Sequence, residues 1–117
     1  MNFLDIQGYD VKEGRNHEFQ QWLSANEEKI ALECPEGISY KGTYVLVRSS
    51  ERKLGSTITI FEMENYACLD RFANAMKEGG TFARLIDEMT DFVDQRNDAQ
   101  FGDMLGRRVV DAAIWGQ

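Results

Sequence analysis

Hydrophobic and polar residues follow two kinds of pattern along this chain, one typical of strands and one typical of helices. Alternation, or richness in β-branched and aromatic residues, predicts strands over residues 2–11, 38–49, 57–63 and 108–115. Apolar residues spaced by three and four predict helices over about 15–34, 66–77 and 82–96. Pro35 and Gly79 end the first two helices. The segment 97–107, which holds two glycines, is predicted to be a loop.

The predicted order, β-α-β-β-α-(α)-β, is that of the ferredoxin-like α+β fold, an antiparallel sheet with its helices on one face. The other face should be polar if the monomer stands alone. Here the strands are apolar on both faces. Strand 38–49 directs Tyr40, Tyr44 and Leu46 one way and Val45 and Val47 the other. We therefore expect a second copy of the chain to cover the free face, as a homodimer.

The length and net charge of the chain limit the classes of function that it can have. With 117 residues, the chain is expected to form a single domain over 1–117. Thirteen basic against 20 acidic residues give a net charge of −7, which repels phosphate backbones and anionic lipids. Neither nucleic acid nor membrane is therefore an expected partner. The amino-terminal stretch has no basic region followed by an apolar core, so no signal peptide is predicted and we expect a cytoplasmic protein.

The chain has a single histidine, His17, in the first predicted helix. On a helical projection His17 lies opposite an apolar stripe, and it should therefore face water. The stripe consists of Phe19, Trp22, Leu23, Asn26 and Ile30. An exposed lone histidine makes a Ser-His-Asp triad difficult to assemble. The two cysteines, Cys34 and Cys68, fall in separate predicted helices and are expected to be buried apolar side chains. With one histidine, no CxxC pair and no Cys/His cluster, no metal site is predicted.

Asn26 is the polar exception within that apolar stripe. A buried amide must find hydrogen-bond partners or cost a few kcal/mol (about 1–3). One interpretation is structural, with the amide bonded to a sheet side chain or a backbone group. The other is functional, with Asn26 lining a cleft between helix and sheet and contacting a ligand beside Trp22.

Two stretches carry a resemblance to a known group of proteins. In "YDVKEGRNHEFQQWL" (9–23) a strand leaves through a turn into a helix with Phe and Trp on its inner side. In "FEMENYACLDRF" (61–72) a strand passes through a short acidic link into an amphipathic helix. The chain thus resembles the dimeric α+β barrel superfamily, including antibiotic-biosynthesis-monooxygenase-like and NIPSNAP-like domains. The resemblance implies a dimer whose two sheets face each other, with a ligand cleft between each sheet and its helices.

The resemblance leaves two hypotheses for function. One is a non-catalytic or uncharacterised module that binds a small aromatic molecule in the helix–sheet cleft. The other is a cofactor-independent monooxygenase or isomerase of an aromatic or quinone-like substrate. Haem is disfavoured because haem-degrading members use a histidine on the second helix, which has none here; no cofactor and no metal are predicted. The candidate cleft residues are Trp22, Asn26, Tyr40, Tyr44, Arg48 and Trp115.

Overall fold

Seven elements follow one another in the predicted order. The computed structural model describes residues 2–50, 54–96 and 100–106. The elements are β1 (Phe3–Tyr9), α1 (Asn16–Glu33), β2 (Ile38–Val45), β3 (Thr57–Met63), α2 (Ala67–Glu78), α3 (Thr81–Thr90) and β4 (Gln100–Leu105). The four strands form one antiparallel sheet in the order β2-β3-β1-β4. The predicted ferredoxin-like α+β fold is confirmed.

The position of the last strand differs from the prediction. Residues 100–105, predicted to be part of a loop, pair with β1 from Leu4↔Leu105 to Tyr9↔Gln100. None of these six residues is fully buried, so the segment lacks the strong apolar pattern of a central strand. It becomes a strand because β1 offers its free backbone groups along one edge of the sheet. The strand predicted over 108–115 lies outside the described residues.

The core lies between one face of the sheet and the three helices. Alternate residues of β3, from Thr57 to Met63, are buried on this face. Among the largest fully buried side chains are Phe61, Ile30 and Leu85, which come from β3, α1 and α3. Because α3 contributes buried residues along its length, it belongs to the core and closes it over the sheet. None of the helices described is long and apolar enough to cross a membrane.

A β-bulge changes which side chains of β2 share a face. Tyr40 pairs with Phe61, but the next pair is Gly42↔Ile60, so Lys41 is an extra residue on the β2 side. Thr43 then pairs with Thr59, and both Tyr40 and Thr43 lie on the helix side of the sheet. Tyr44 falls on the opposite side. The prediction that Tyr40 and Tyr44 share one face is therefore wrong, since simple alternation cannot anticipate an inserted residue.

The sheet face turned away from the helices carries four aliphatic residues on its two central strands, with Glu62 at one end of β3. Leu4 and Ile6 of β1 lie there beside Ile58 and Ile60 of β3, and all four are only half-buried. Leu105 of β4, paired with Leu4, is 53% exposed. This open face matches the two-sided apolar pattern of the strands.

Candidate functional site

A cleft of about 370 Å³ opens between α3 and the part of the sheet formed by β1 and β4. Its apolar lining comes mainly from the helix side and includes Phe72, Ile86, Met89 and Val93, with Phe101 added by β4. Its polar lining comes mainly from the strands and includes Gln7, Tyr9, Thr59 and Gln100. The cleft therefore combines apolar walls with a few hydrogen-bonding groups at one side, as small-molecule sites do.

Tyr9 is the main polar group of the cleft wall. It is the last residue of β1 and is only 6% exposed. Its hydroxyl lies 2.8 Å from Oγ1 of Thr59 and 3.6 Å from Sδ of Met89, and both partners also line the cleft. Burial raises the pKa of Tyr9, and the hydrogen bond that Thr59 can give to the ionised phenolate offsets this only in part. The group at the wall is therefore a neutral phenol.

A series of hydroxyl groups continues from Tyr9 across the sheet. Thr59 Oγ1 lies 3.1 Å from Thr43 Oγ1, which lies 2.6 Å from the Tyr40 hydroxyl. Tyr40 donates a hydrogen bond of 2.7 Å to Oε2 of Glu27 on α1. We call Tyr9, Thr59, Thr43 and Tyr40 the hydroxyl chain; it joins the cleft wall to Glu27. The bulge in β2 makes this possible, because it places Tyr40 and Thr43 on the same side of the sheet.

Tyr40, at the outer end of the hydroxyl chain, also remains a neutral phenol. Burial raises its pKa, the hydrogen bond with Thr43 lowers it, and the hydrogen bond and negative charge of Glu27 raise it again. Glu27, Tyr40 and Thr43 line an open, shallow depression between α1 and β2. The hydroxyl chain thus runs from this outer depression to the cleft on the far side of the core.

Two predicted site residues, Trp22 and Asn26, lie outside the cleft. The Trp22 indole nitrogen donates a hydrogen bond of 2.9 Å to Oε1 of Glu88 on α3, and its ring centroid lies 6.1 Å from that of Phe92. Asn26 Nδ2 donates to the Trp22 carbonyl oxygen at 2.8 Å. Trp22 thus links α1 to α3, and the Asn26 amide is bonded to the backbone, as its structural interpretation predicts.

Of the other four predicted site residues, Tyr40, Tyr44 and Arg48 lie within the described part of the chain. Tyr40 and Tyr44 both line the shallow depression, where the Tyr44 hydroxyl donates to the Lys41 carbonyl oxygen at 3.1 Å. Arg48 lies beyond the end of β2 and is exposed. Trp115 lies outside the described residues. Of the five predicted residues that the structure describes, two therefore line a common depression, which is separate from the cleft between α3 and strands β1 and β4.

Tyr9 and Thr59, the groups at the cleft wall, are not among the residues predicted for the site. Both lie on the buried face of their strands, where a polar side chain needs a hydrogen-bond partner. The signal available was "TITIFEM" (57–63), in which two threonines share the buried alternate positions with Phe61 and Met63. His17, by contrast, is exposed, as predicted.

Within the residues that the structure describes, no group of three or more His, Cys, Asp or Glu side chains is placed to hold a metal ion. Cys34 and Cys68 are free thiols, half-buried and buried respectively. Burial raises the pKa of Cys34 to about 11, although a backbone hydrogen bond from Tyr40 opposes the shift. A thiol with this pKa is a weak nucleophile at neutral pH because little thiolate is present.

No protein-family profile matches the chain, and no curated protein matches it in sequence. Solved structures do match its fold. A NIPSNAP family protein from Agrobacterium tumefaciens superimposes with a TM-score of 0.66 at 10% identity, covering 92% of this chain and 87% of the other. An uncharacterised NIPSNAP domain protein from Burkholderia xenovorans gives 0.63 at 10% identity, covering 92% and 95%.

A third match is SnoaB, a cofactor-independent oxygenase from Streptomyces nogalater, with a TM-score of 0.54 at 15% identity, covering 92% of this chain and 93% of SnoaB. The chain shares the fold of NIPSNAP and monooxygenase-like proteins. The resemblance predicted from the two sequence stretches is confirmed at the level of the fold. Because a fold hosts many functions, the function has to be argued from the cleft.

Proposed function

We propose that the cleft between α3 and strands β1 and β4 binds a small aromatic molecule that carries a polar group. The observation that carries this proposal is the buried Tyr9 hydroxyl on the sheet side of a cleft whose helix side is apolar. Phe72, Ile86 and Met89 offer apolar surface to a planar ring, and Tyr9 offers an oxygen to its polar substituent. The cleft volume of about 370 Å³ falls within the usual range for small-molecule sites, about 300–1,000 Å³.

The proposal is tested first by a native mass spectrum of freshly purified protein, which reports any retained small molecule. Titration calorimetry with 2-naphthol then measures binding of a defined aromatic probe. Gln100→Trp places an indole at the cleft, whereas Gln20→Trp makes the same change at an exposed position on α1. We expect Gln100→Trp to weaken binding at least tenfold and Gln20→Trp to leave it unchanged. Equal affinities in the two variants would reject this cleft as the binding site.

A second candidate function is a cofactor-independent monooxygenase or isomerase of an aromatic or quinone-like substrate. It is supported by the similarity in fold to SnoaB and by the presence of a hydroxyl group in the cleft that can hold a reacting oxygen. Oxygen uptake with a naphthalenediol, measured against a protein-free blank, distinguishes the two functions. Uptake proportional to protein concentration and lost in Tyr9→Phe would favour the enzyme; uptake equal to the blank would favour simple binding.

We also propose that the chain forms a homodimer through the open face of the sheet. The half-buried residues Ile6 and Ile60 and the exposed Leu105 form an apolar surface there that a second copy can cover. The two sheets would then pack face to face around a two-fold axis.

Native mass spectrometry and size-exclusion chromatography test the homodimer. Ile6→Lys introduces a charge at the centre of the open face, whereas Leu32→Lys introduces the same charge at an exposed position on α1. We expect the wild type and Leu32→Lys to be dimers and Ile6→Lys to be a monomer or much weaker dimer. A monomeric wild type, or an Ile6→Lys variant that stays fully dimeric, would contradict the proposed interface.

A cytoplasmic location is proposed as well. Cys34 and Cys68 are not joined in a disulfide, which fits a reducing compartment. Fractionation of cells that produce the tagged chain should recover it with cytoplasmic markers; recovery from the medium or from an oxidising compartment would contradict the proposal.

A further inference from the structure

The direction of every hydrogen bond in the hydroxyl chain follows from counting its protons. The chain has four links, Tyr9–Thr59, Thr59–Thr43, Thr43–Tyr40 and Tyr40–Glu27. Each hydroxyl has a single proton to donate, and an ionised carboxylate has none. The four links therefore use all four available protons, one for each link.

Glu27 determines the direction in which those protons are donated. As a carboxylate it only accepts, so Tyr40 gives its proton to Glu27. Thr43 must then donate to Tyr40, because the Tyr40 proton is already used. By the same reasoning Thr59 donates to Thr43, and Tyr9 donates to Thr59. All four hydrogen bonds consequently point away from the cleft and toward α1.

This direction leaves the Tyr9 oxygen as an acceptor at the cleft wall. We propose that the hydroxyl chain makes the cleft select ligands that donate a hydrogen bond, such as phenols and enols, over ligands of similar shape that can only accept one. The inference rests on the proposed binding function of the cleft and names the ligand class that it takes. It makes Glu27 a residue that sets specificity from the opposite side of the core, through four intervening hydroxyls.

Charge reversal at Glu27 should reverse the selectivity. In Glu27→Lys the ammonium group only donates, so Tyr40 accepts from it and keeps its own proton for Thr43. Each hydroxyl then donates toward the cleft, from Tyr40 to Thr43, to Thr59 and to Tyr9. The Tyr9 proton is left free for the ligand. Glu28 provides a matched control. It lines the same shallow depression, but the carboxylate that accepts the Tyr40 proton is that of Glu27.

Two aromatic probes of similar shape measure this selectivity by titration calorimetry. The probe 2-naphthol can donate a hydrogen bond, whereas 2-methoxynaphthalene only accepts. We expect the affinity ratio of naphthol to methoxynaphthalene to fall by about tenfold or more in Glu27→Lys. Glu28→Lys should keep the wild-type ratio. Tyr40→Phe removes the link to Glu27 while keeping the ring, and should also lower the ratio, which provides a second variant if Glu27→Lys is poorly folded.

The outcomes separate this inference from the proposed function. Probes that bind the wild type with a ratio unchanged in Glu27→Lys and Tyr40→Phe would overturn the inference and leave the binding cleft intact. If neither probe binds to the wild type, the cleft is rejected as a site for this ligand class, and the inference is rejected with it. Neutron diffraction from deuterated crystals tests the direction without a ligand. We expect the Tyr9 deuteron on the line to Thr59, and a deuteron directed at Met89 Sδ would overturn the assignment.

Discussion

The ring of Phe101 occupies the space beside Gly8 that any other residue would need for its side chain. A Cβ atom on Gly8 would lie 2.0 Å from Cζ of Phe101, and the two residues are direct partners in the pairing of β1 with β4. Glycine at this position therefore lets the aromatic ring of Phe101 approach the backbone of the neighbouring strand. Because Gln100 and Phe101 also line the cleft, this contact helps to hold the edge strand that forms one of its sides.

Gly8→Ala should destabilise the protein through this clash. We expect the free energy of unfolding to fall by about 1–3 kcal/mol, the usual cost of overpacking. In a Phe101→Ala background the clash is absent, so the same Gly8 substitution should cost much less. Denaturant titrations of the two single variants and the double variant give the coupling between the positions. Strictly additive effects would show that the two residues do not meet as described.

Thr59→Val removes the central link of the hydroxyl chain without changing the size of the side chain. Thr59 is 2% exposed, so the hydroxyls of Tyr9 and Thr43 would lose a partner where water does not easily replace it. We expect a loss of about 1–3 kcal/mol in the free energy of unfolding. Thr90→Val is the control, since its hydroxyl bonds to a helix carbonyl but is exposed, and should cost within about 0.5 kcal/mol. Similar losses in both variants would contradict a stabilising role of the hydroxyl chain.

The hydrogen bond between Trp22 and Glu88 should make part of the free energy of unfolding depend on pH. The hydrogen bond from Trp22, with smaller contributions from Arg84 and Lys29, holds the pKa of Glu88 below its ordinary value of about 4.5. The unfolded chain then binds the proton more readily than the folded one, so the contribution is complete above pH 4.5 and is lost as the pH falls below it.

Melting temperatures measured between pH 7 and pH 3 test this dependence. We expect the Tm difference between the wild type and Glu88→Gln to shrink as the pH falls through that range, because the wild-type carboxylate is being protonated. Asp87→Asn changes the neighbouring carboxylate and serves as control. A constant difference for Glu88→Gln across the range would show that its interaction with Trp22 does not depend on charge.

Cys34 should react slowly with alkylating reagents while the protein is folded. Its pKa of about 11 means that about one molecule in a thousand carries the thiolate at pH 8. Unfolding returns the pKa to about 9, which raises the thiolate fraction about a hundredfold. Peptide mapping by mass spectrometry after timed iodoacetamide treatment follows this residue separately from Cys68. Equal rates in buffer and in denaturant would contradict the burial of the thiol.

Local pattern was sufficient to predict most of the fold. The spacing of apolar residues predicted α1 and α2, and Pro35 and Gly79 marked their ends, because helix periodicity and helix termination depend on residues close in sequence. The buried alternation of β3 is equally local. These elements, in this order, led to the ferredoxin-like arrangement before any contact was known.

The cleft depended on contacts that no local pattern contains. Tyr9 and Thr59 are 50 residues apart, and they meet only because β1 and β3 pair in one register. The bulge at Lys41 brings Tyr40 and Thr43 to one face, where alternation predicts opposite faces. The edge strand β4 forms on a weakly apolar segment because β1 supplies its hydrogen bonds. Amphipathic periodicity therefore determined the elements, whereas strand pairing across long separations decided which polar groups meet at the site.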